Sequence, residues 1–436
     1  MKFRLVDRTK AHIKSKIEAI FHANQNYPCL IFTTYLAQVF RFQSIASTKI
    51  RFLSLFNFAC FQCVTLPLFL QLIFVSTKNV IVLSMQLFES IYCVSVCIEY
   101  GLQFISHKRN VSLLQSFHRI FIKNHKYVKR ILTIEYVAST IITIILVILG
   151  SMWFLESTIS TMTEEELQLT NRQNPDRKFK TEFFLPFDYS LSPYYELVWV
   201  VVVYYGVILQ TILFETITTM PFITLHIKGQ LDILAYYLRS IGNSHFVYTD
   251  IKEGTRVLLL PTVAAPSSSL YQSNIGIENY RPKSQYTKRL IVKIIRHHQK
   301  LMRIVDRYER HCQTVFGLRL LVTVLLMVAL LCQLVFTDVS RGYICASMFV
   351  VLQFNYFLCT GSELIDSGVA NIHRSVFNNL WYTCDSDVWK LLRPIVLVSQ
   401  KPRHFKFMRF YIIDYRSFVS SLRVAYSLFI VFTKFS

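Results

Sequence analysis

The last apolar segment of the chain carries hydroxyl-bearing and small side chains at helical spacing. One stripe, in steps of three or four residues, consists of Ser420, Val424, Ser427, Val431 and Phe435. The other side is apolar or aromatic, with Phe418, Leu422, Ala425, Phe429 and Phe432. Residues three and four apart share one face of an α-helix. This pattern predicts water on one side and protein or lipid on the other, which is the arrangement of a pore-lining helix.

A second residue whose side chain could do chemistry is Glu89, midway along another apolar stretch. A carboxylate inside a membrane span costs free energy, and such residues usually face a cavity or a polar partner. We expect Glu89 either to line a ligand site, where it favours a hydroxyl- or amine-bearing ligand, or to bond to Tyr92 or a neighbouring helix. Glu363 and Asp366, at the end of a later apolar stretch, are expected to bond between helices.

The other reactive residue types do not form a catalytic or metal-binding set. His297 and His298 lie on an amphipathic pattern with no carboxylate at ligand spacing, and no glycine-rich phosphate loop is found. The Cys-x-x-Cys pair at Cys60 and the Cys-x-x-x-Cys pair at Cys93 lack flanking His or acidic residues, which favours helix packing. We therefore predict no enzyme activity, no cofactor, no metal and no disulfide framework.

The composition predicts a membrane protein. The 436 residues are 53% hydrophobic and 15% aromatic, which is too apolar for the polar surface of a soluble globule. The formal net charge of +21 requires no nucleic acid, since basic residues cluster beside apolar segments, where anionic lipid headgroups are their ordinary partners. Because the N-terminus lacks the apolar core of a signal peptide, we expect it to stay in the cytosol.

Seven apolar segments are long enough to cross a bilayer. They are 52–76, 79–101, 134–157, 194–221, 316–338, 343–365 and, less apolar, 411–435. The connections 1–51, 102–133 and 222–315 are rich in Lys and Arg, whereas 158–193 has more acidic than basic residues. Because basic loops remain in the cytosol, this predicts an all-α polytopic membrane fold with the N-terminus inside and the C-terminus outside.

The cytosolic connections are predicted to form a helical anchor region. The flanks of 222–315 have helical periodicity, and 366–410 is expected to hold a connection and the first part of the last helix. The intervening stretch 247–286 has three Pro and a Ser triplet without a strand or helix period, so we predict a mobile insertion. A retained intron is the open alternative, which sequencing the transcript would test.

Four stretches of the C-terminal half follow the order and spacing of one receptor family. They are IRHHQKLMRIVDRYERHC at 295–312, LQFNYFLCTGSELIDSGVANIHRSVFNNLWY at 352–382, VSQKPRHFKFM at 398–408 and FVSSLRVAYSLFIVF at 418–432. With them the chain resembles the insect odorant receptors, a family of seven-span ligand-gated cation channels of inverted topology. The last stretch departs from the Ser-Tyr-Ser-Tyr-Phe signature of the family at Ala425 and Leu428. The N-terminal half fits by span number and polarity.

The resemblance implies roles for individual residues. The hydrophobic gate of the family falls on Val431 and Phe435, on the stripe found by periodicity. Such a ring closes a pore by dewetting it, and ligand-driven dilation readmits water and cations. Packing between helices is the alternative role of Val431.

The resemblance places the ligand among the outer halves of spans two, three, four and six, within 52–221 and 343–365, where aromatic and apolar side chains enclose it. These halves hold Met85, Phe88, Glu89 and Tyr92; Gly150, Trp153 and Phe154; Tyr204, Tyr205 and Ile208; and Met348, Phe349 and Gln353. Gly150 would leave space for the ligand. For each aromatic residue, ordinary helix packing is the alternative.

The implied function is that of an odorant-binding subunit of a heteromeric, ligand-gated, non-selective cation channel in the plasma membrane of olfactory sensory neurons. Its implied partners are a small volatile odorant, membrane lipids and the odorant receptor co-receptor, with which it would form a heterotetramer. The co-receptor carries Val-Val-Thr-Tyr-Phe where this chain has 424–429, which indicates the tuned subunit.

Two alternatives are carried forward. A gustatory receptor channel subunit shares the architecture, but its usual Thr-Tyr then Gln-Phe ending lacks the Gln here. A G-protein-coupled receptor also has seven spans, but it has the opposite orientation, and the sequence lacks an extracellular Cys pair, an Asp-Arg-Tyr after span three and an Asn-Pro-x-x-Tyr in span seven.

Overall fold

The structure is a computed structural model that is predominantly helical. It describes residues 48–74, 87–99, 101–102, 112–113, 116–117, 120, 126–159, 185, 187–242, 246–253, 256–263, 280–336, 341–408 and 410–435. Its main helices are α1 (Thr48–Phe74), α2 (87–99), α3 (Lys126–Ile159), α4 (Tyr194–Arg239), α5 (Tyr280–Phe336), α6 (Arg341–Phe377), α7 (Ser386–Ser399) and α8 (Tyr415–Phe435). Two antiparallel hairpins pair β1 (Phe246–Glu253) with β2 (Arg256–Val263), and β3 (Phe405–Phe407) with β4 (Tyr411–Ile413).

Several described helices are apolar enough to lie in a membrane. Three of them are also long enough to cross it, within Arg130–Ile148, Thr287–Val335 and Ile344–Thr383. Phe58–Ile73 and Tyr194–Gln210 are shorter apolar helices. These five segments overlap the predicted spans one, three, four, five and six.

Helices α4 and α5 are much longer than a bilayer is thick. They have 46 and 57 residues, so at about 1.5 Å per residue they measure roughly 69 and 86 Å against a hydrocarbon core of about 30 Å. Lys and Arg residues crowd the first half of α5, so its apolar stretch lies in the second half, after Cys312. The long helices therefore extend well beyond the apolar layer, as their periodicity predicts.

The largest hydrophobic core of the described chain lies in these extensions. Its fully buried members include Ile227, Leu231, Leu238, Ile291, Leu301, Val305, Ile365, Ile372 and Leu392. They come from α4, α5, α6 and α7, and α4 and α6 form the most extensive contact. Removing apolar surface from water stabilises a fold by about 25 cal/mol per Å² of buried surface. Lipid tails are themselves apolar and give no such stabilisation. The densest packing therefore forms where the helices leave the lipid.

The C-terminal region, where a connection and the first part of the last helix were predicted over 366–410, holds two separate helices with a hairpin between them. Helix α6 continues to Phe377, and α7 and the β3–β4 hairpin follow before α8 begins at Tyr415. The predicted span 411–435 starts too early because its first residues form β4. The side chain of Asp414 fixes the helix start, since its Oδ1 accepts the N–H of Ser417 at 2.7 Å while Ser417 Oγ accepts the N–H of Asp414 at 3.0 Å.

The segment 247–286 is also more regular than predicted. Strands β1 and β2 pair from Phe246 opposite Val263 to Glu253 opposite Arg256, and α5 already begins at Tyr280. The run RVLLLPTV of β2 is continuously apolar in its centre, so it shows no alternation even though it forms a strand. The prediction of an irregular segment is therefore wrong for the hairpin and for the first turns of α5.

His298 is a buried titratable residue of the α5 extension. Among the described residues its Nε2 has no hydrogen-bond partner. Burial lowers the pKa of His298 from 6.5 to about 4. Because the unfolded chain takes up a proton below pH 6.5 and the folded chain resists it, stability should be complete above pH 6.5 and fall as the pH drops toward 4. The loss should be about 3 kcal/mol at most.

Thermal unfolding of the detergent-solubilised protein across this pH range measures the effect. His298→Leu should flatten the dependence between pH 6.5 and pH 4. His297→Leu, at the neighbouring and less buried position, should leave it in place. An unchanged pH profile in His298→Leu would assign the dependence to other groups.

Candidate ligand site and pore helix

One face of α8 is packed against the rest of the chain. Ser417, Ser421 and Ala425, each four residues apart, are buried. Asn355 of α6 donates a hydrogen bond from Nδ2 to Ser421 Oγ at 3.1 Å. Small side chains at this spacing let α8 approach its neighbours α5 and α6 closely, which fixes its rotation about its own axis.

A second face of α8, about 90° around the helix axis from the buried one, is exposed in the single chain. Val424 and Val431 are each 49% exposed, and Ser420 and Ser427 are exposed too. Phe435 ends the helix, and its side chain lies outside the described residues. The stripe with the spacing of a pore lining therefore faces away from the body of its own chain.

The connection before α8 is clamped to α5 and α6. The Arg403 guanidinium contacts Asp306, and it donates to Glu309 Oε2 at 3.0 Å. Phe405 is buried, and its N–H donates to Ser362 Oγ at 2.9 Å. These contacts tie the connection before α8 to α5 and α6.

Several candidate ligand residues of spans two and six lie together. Phe88 is buried and stacks on Tyr92, with ring centroids 6.2 Å apart and an interplanar angle of 7°. Both residues, together with Met348, belong to one hydrophobic cluster that also contains Leu422 and Ala425 of α8. The candidate ligand residues thus share a packed cluster with the candidate pore helix.

The candidate residues of span four join a second cluster. Tyr205 and Ile208 are buried there, and Tyr205 packs against Phe61 of α1 with ring centroids 4.9 Å apart. The hydroxyl of Tyr205 lies 2.7 Å from Cys93 Sγ. Tyr92 packs against this cluster as well as the first one, so it links the two.

Other candidates stand apart from this centre. Tyr204 and Phe349 are exposed on the surface of the single chain, and Glu89 and Gln353 are half-buried. The remaining candidates lie outside the described residues: Met85, and the side chains of Trp153 and Phe154.

The space beside Gly150 is occupied. A Cβ at Gly150 would lie 2.8 Å from Nε2 of Gln210. The glycine therefore lets the Gln210 side chain of α4 approach α3, and the room that the sequence assigned to a ligand holds this amide instead.

Sequence reasoning missed two buried pairs of polar side chains between helices. Arg319 of α5 donates from Nε and Nη2 to the two carboxylate oxygens of Glu99 at 2.9 and 3.3 Å, and both side chains are only 9% exposed. His226 Nε2 lies 2.7 Å from Glu135 Oε2, also in a buried position. The available signal was one acidic and one basic residue at the ends of different apolar segments, where each requires a partner.

Beside the Glu99–Arg319 pair lies a cavity between α2, α5 and α6. Its volume is about 30 Å³, measured as the space open to the centre of a water molecule. It is lined by Tyr92, Ser95, Val96, Glu99, Arg319, Val322, Thr323, Leu326, Val351 and Phe354. Tyr92 is the residue that this cavity shares with the candidate ligand set.

Among the described residues, Glu363, Asp366 and His404 come nearest to a metal-binding group. Their ligand atoms lie within 4.8 Å of one another, and all three side chains are half-buried. Asp366 Oδ1 already accepts the backbone N–H of Arg403 at 2.7 Å, so this carboxylate ties α6 to the clamp before α8. Carboxylates with this exposure are common without an ion.

Comparison with known proteins gives a consistent result. Residues 79–426 match the family model described as 7tm odorant receptor. The insect olfactory receptor OR5 from Machilis hrabei has a similar structure, with a TM-score of 0.67 and 13% identity over 90% of this chain and 91% of that chain. The structure of OR5 in complex with eugenol gives a TM-score of 0.67, 14% identity and the same coverage. No curated protein matches the sequence.

The helical fold and its apolar segments define a helical membrane protein. Since the family model spans most of its length, the chain belongs to the odorant receptor family. The resemblance found in the sequence is thereby confirmed, and the family is one of receptors rather than enzymes.

Proposed function

We propose that the chain is the odorant-binding subunit of a heteromeric ligand-gated cation channel that works with the odorant receptor co-receptor in olfactory sensory neurons. The two faces of α8 carry this proposal, because a stripe with Ser420 and Ser427 faces away from the chain while small residues pack the other face. Serine hydroxyls suit a water-filled pore better than lipid. Val431 and Phe435 then form the apolar ring that closes the pore.

The shared cluster suggests how a ligand acts on the pore. An odorant that enters between Phe88, Tyr92 and Met348 must displace side chains that also pack against Leu422 and Ala425 of α8. It opens the channel only if it binds the arrangement with the wider pore more tightly than the closed one. The eugenol complex of OR5 supports an odorant-sized aromatic molecule as the kind of ligand that this fold accepts.

Patch-clamp recording tests the proposal most directly. The chain is expressed with and without the co-receptor and exposed to a panel of odorants. Odorant-evoked cation current that requires both chains supports a tuned channel subunit. Current that requires intracellular G-protein nucleotides would contradict it, and current from this chain alone in response to non-volatile tastants would favour the gustatory alternative.

The proposal includes seven spans with the N-terminus in the cytosol and the C-terminus outside. Asn110, in the sequon Asn110-Val111-Ser112, should then carry no glycan because its connection faces the cytosol. Treatment with a glycosidase should leave the electrophoretic mobility unchanged. A sequon introduced into the acidic 158–193 connection is the positive control, and a glycan on Asn110 would invert the orientation.

Glu89→Gln should change which odorants are detected. We propose that the Glu89 carboxylate accepts hydrogen bonds from alcohols and amines, and bonds to a charged acceptor are stronger than bonds to a neutral one. Half-maximal responses to such odorants should need about tenfold more ligand, whereas responses to esters should remain the same. An unchanged response spectrum at normal surface expression would remove Glu89 from the site.

A further inference from the structure

The cavity beside the buried ion pair has the size of a very small ligand. A cavity needs roughly 10–15 Å³ of space open to water centres for each water molecule that it holds. The space of about 30 Å³ therefore accommodates two waters, or one molecule with a few non-hydrogen atoms. It is too small for an odorant such as an aromatic phenol.

The polar lining of the cavity offers donors on one side. Two of the five N–H donors of Arg319 bond to Glu99, and the others remain for a further acceptor. Because the ion pair already balances the guanidinium charge, the cavity suits a neutral molecule with an acceptor atom.

The lining offers acceptors on another side. Ser95 donates its hydroxyl proton to the carbonyl oxygen of Tyr92 at 2.7 Å, and Thr323 donates its own to the carbonyl oxygen of Arg319 at 2.8 Å. Since both hydroxyl protons are used within their helices, Ser95 Oγ and Thr323 Oγ1 present lone pairs to the cavity. A hydroxyl group can accept from Arg319 and donate to one of these oxygens at the same time.

The rest of the lining is apolar. Val322 and Leu326 of α5 face Val351 and Phe354 of α6 across the cavity, with Val96 of α2 beside them. This wall excludes a fully hydrated ion and accommodates a short alkyl group. The combination fits a molecule with one hydroxyl and one short apolar tail.

We propose that this cavity is a binding site for short-chain primary alcohols, which displace water from it. The alcohol oxygen accepts from Arg319, its proton goes to Thr323 Oγ1 as a hydrogen bond, and the alkyl group lies against Val322 and Leu326. Three helices contribute to the site, so an occupant bridges α2 to α5 and α6. The site adjoins the proposed odorant site, with which it shares Tyr92, and it depends on neither channel activity nor membrane orientation.

Saturation-transfer NMR on the full chain in lipid nanodiscs tests the site, with methanol, ethanol and 1-hexanol as probes. Methanol and ethanol should give signals above those of empty nanodiscs. Val322→Phe should abolish this excess because the ring fills the cavity. Leu321→Phe, at the adjacent and 60% exposed position, is the matched control and should retain it.

A second variant keeps the test decisive if Val322→Phe does not fold. Thr323→Val conserves the side-chain shape and removes one acceptor, so ethanol should bind about fivefold more weakly. Ethanol binding that is equal in Thr323→Val, Leu321→Phe and the unmodified chain would overturn the proposal, as would a signal no larger than that of empty nanodiscs. A 1-hexanol signal that Val322→Phe abolishes, and that is as large as the corresponding ethanol signal, would also overturn it. These measurements use this chain alone, so they stand whether or not the channel proposal holds.

Discussion

Val431→Ser is expected to produce a channel that conducts without odorant. Val431 lies on the exposed face of α8, where copies of this helix from the assembled subunits would bring their side chains together around the pore. Serine binds water where valine excludes it, so the closed pore no longer dewets. If the substitution destabilises the closed state relative to the open state by about 1.4 kcal/mol, the fraction of channels open without odorant rises about tenfold. Whole-cell recording with the co-receptor, before and after a pore blocker, measures this fraction.

Val419→Ser is the matched control for this effect. Val419 lies on the same helix and is 45% exposed, but it is twelve residues away and therefore about 120° from Val431 around the axis. The control should show no current without odorant. Equal leak from both variants would point to general loosening of α8, and a silent Val431→Ser channel that still responds to odorant would place the gate elsewhere.

Arg319→Met is expected to destabilise the protein severely. The substitution leaves the Glu99 carboxylate buried between α2 and α5 without its cation, and breaking a buried pair in this way costs about 3–5 kcal/mol. The solubilised variant should unfold at a clearly lower temperature, and less of it should reach the cell surface. Thermal unfolding monitored by size-exclusion chromatography measures the first effect, and surface labelling measures the second.

Two further variants show whether the buried charge is the cause. Combining Arg319→Met with Glu99→Leu removes both charges, and it should recover most of the lost stability because apolar replacements of a whole buried pair are well tolerated. Lys390→Met removes an exposed partner of Asp387 and should leave unfolding unchanged. An Arg319→Met protein as stable as the unmodified chain would show that the pair contributes nothing to the fold.

The features that the sequence predicted well depend on local repetition. The exposed Val424 and Val431 lie on the stripe found from steps of three and four residues, and the helical flanks of the long connection follow from the same rule. The buried face of α8 shares only Ala425 with the side that was predicted to meet protein or lipid. Apolar segments could be located by length alone. Such patterns need no knowledge of distant contacts.

The features that could not be predicted depend on residues far apart in the chain. Glu99 and Arg319 are separated by 220 positions, so nothing local marks them as partners. The space beside Gly150 is filled by Gln210 from another helix, which no spacing rule reveals. Arg403, just before the β3–β4 hairpin, binds Asp306 and Glu309, again across a long separation.

The position of the largest hydrophobic core has a consequence for how this receptor can change over evolutionary time. The largest cluster of buried apolar residues in the described chain joins α4, α5, α6 and α7, whereas the candidate ligand residues Phe88 and Met348 belong to a smaller cluster elsewhere. Mutations at these ligand positions therefore leave the packing of the largest cluster in place. The chain can acquire new chemical preferences while the scaffold that holds it together stays the same.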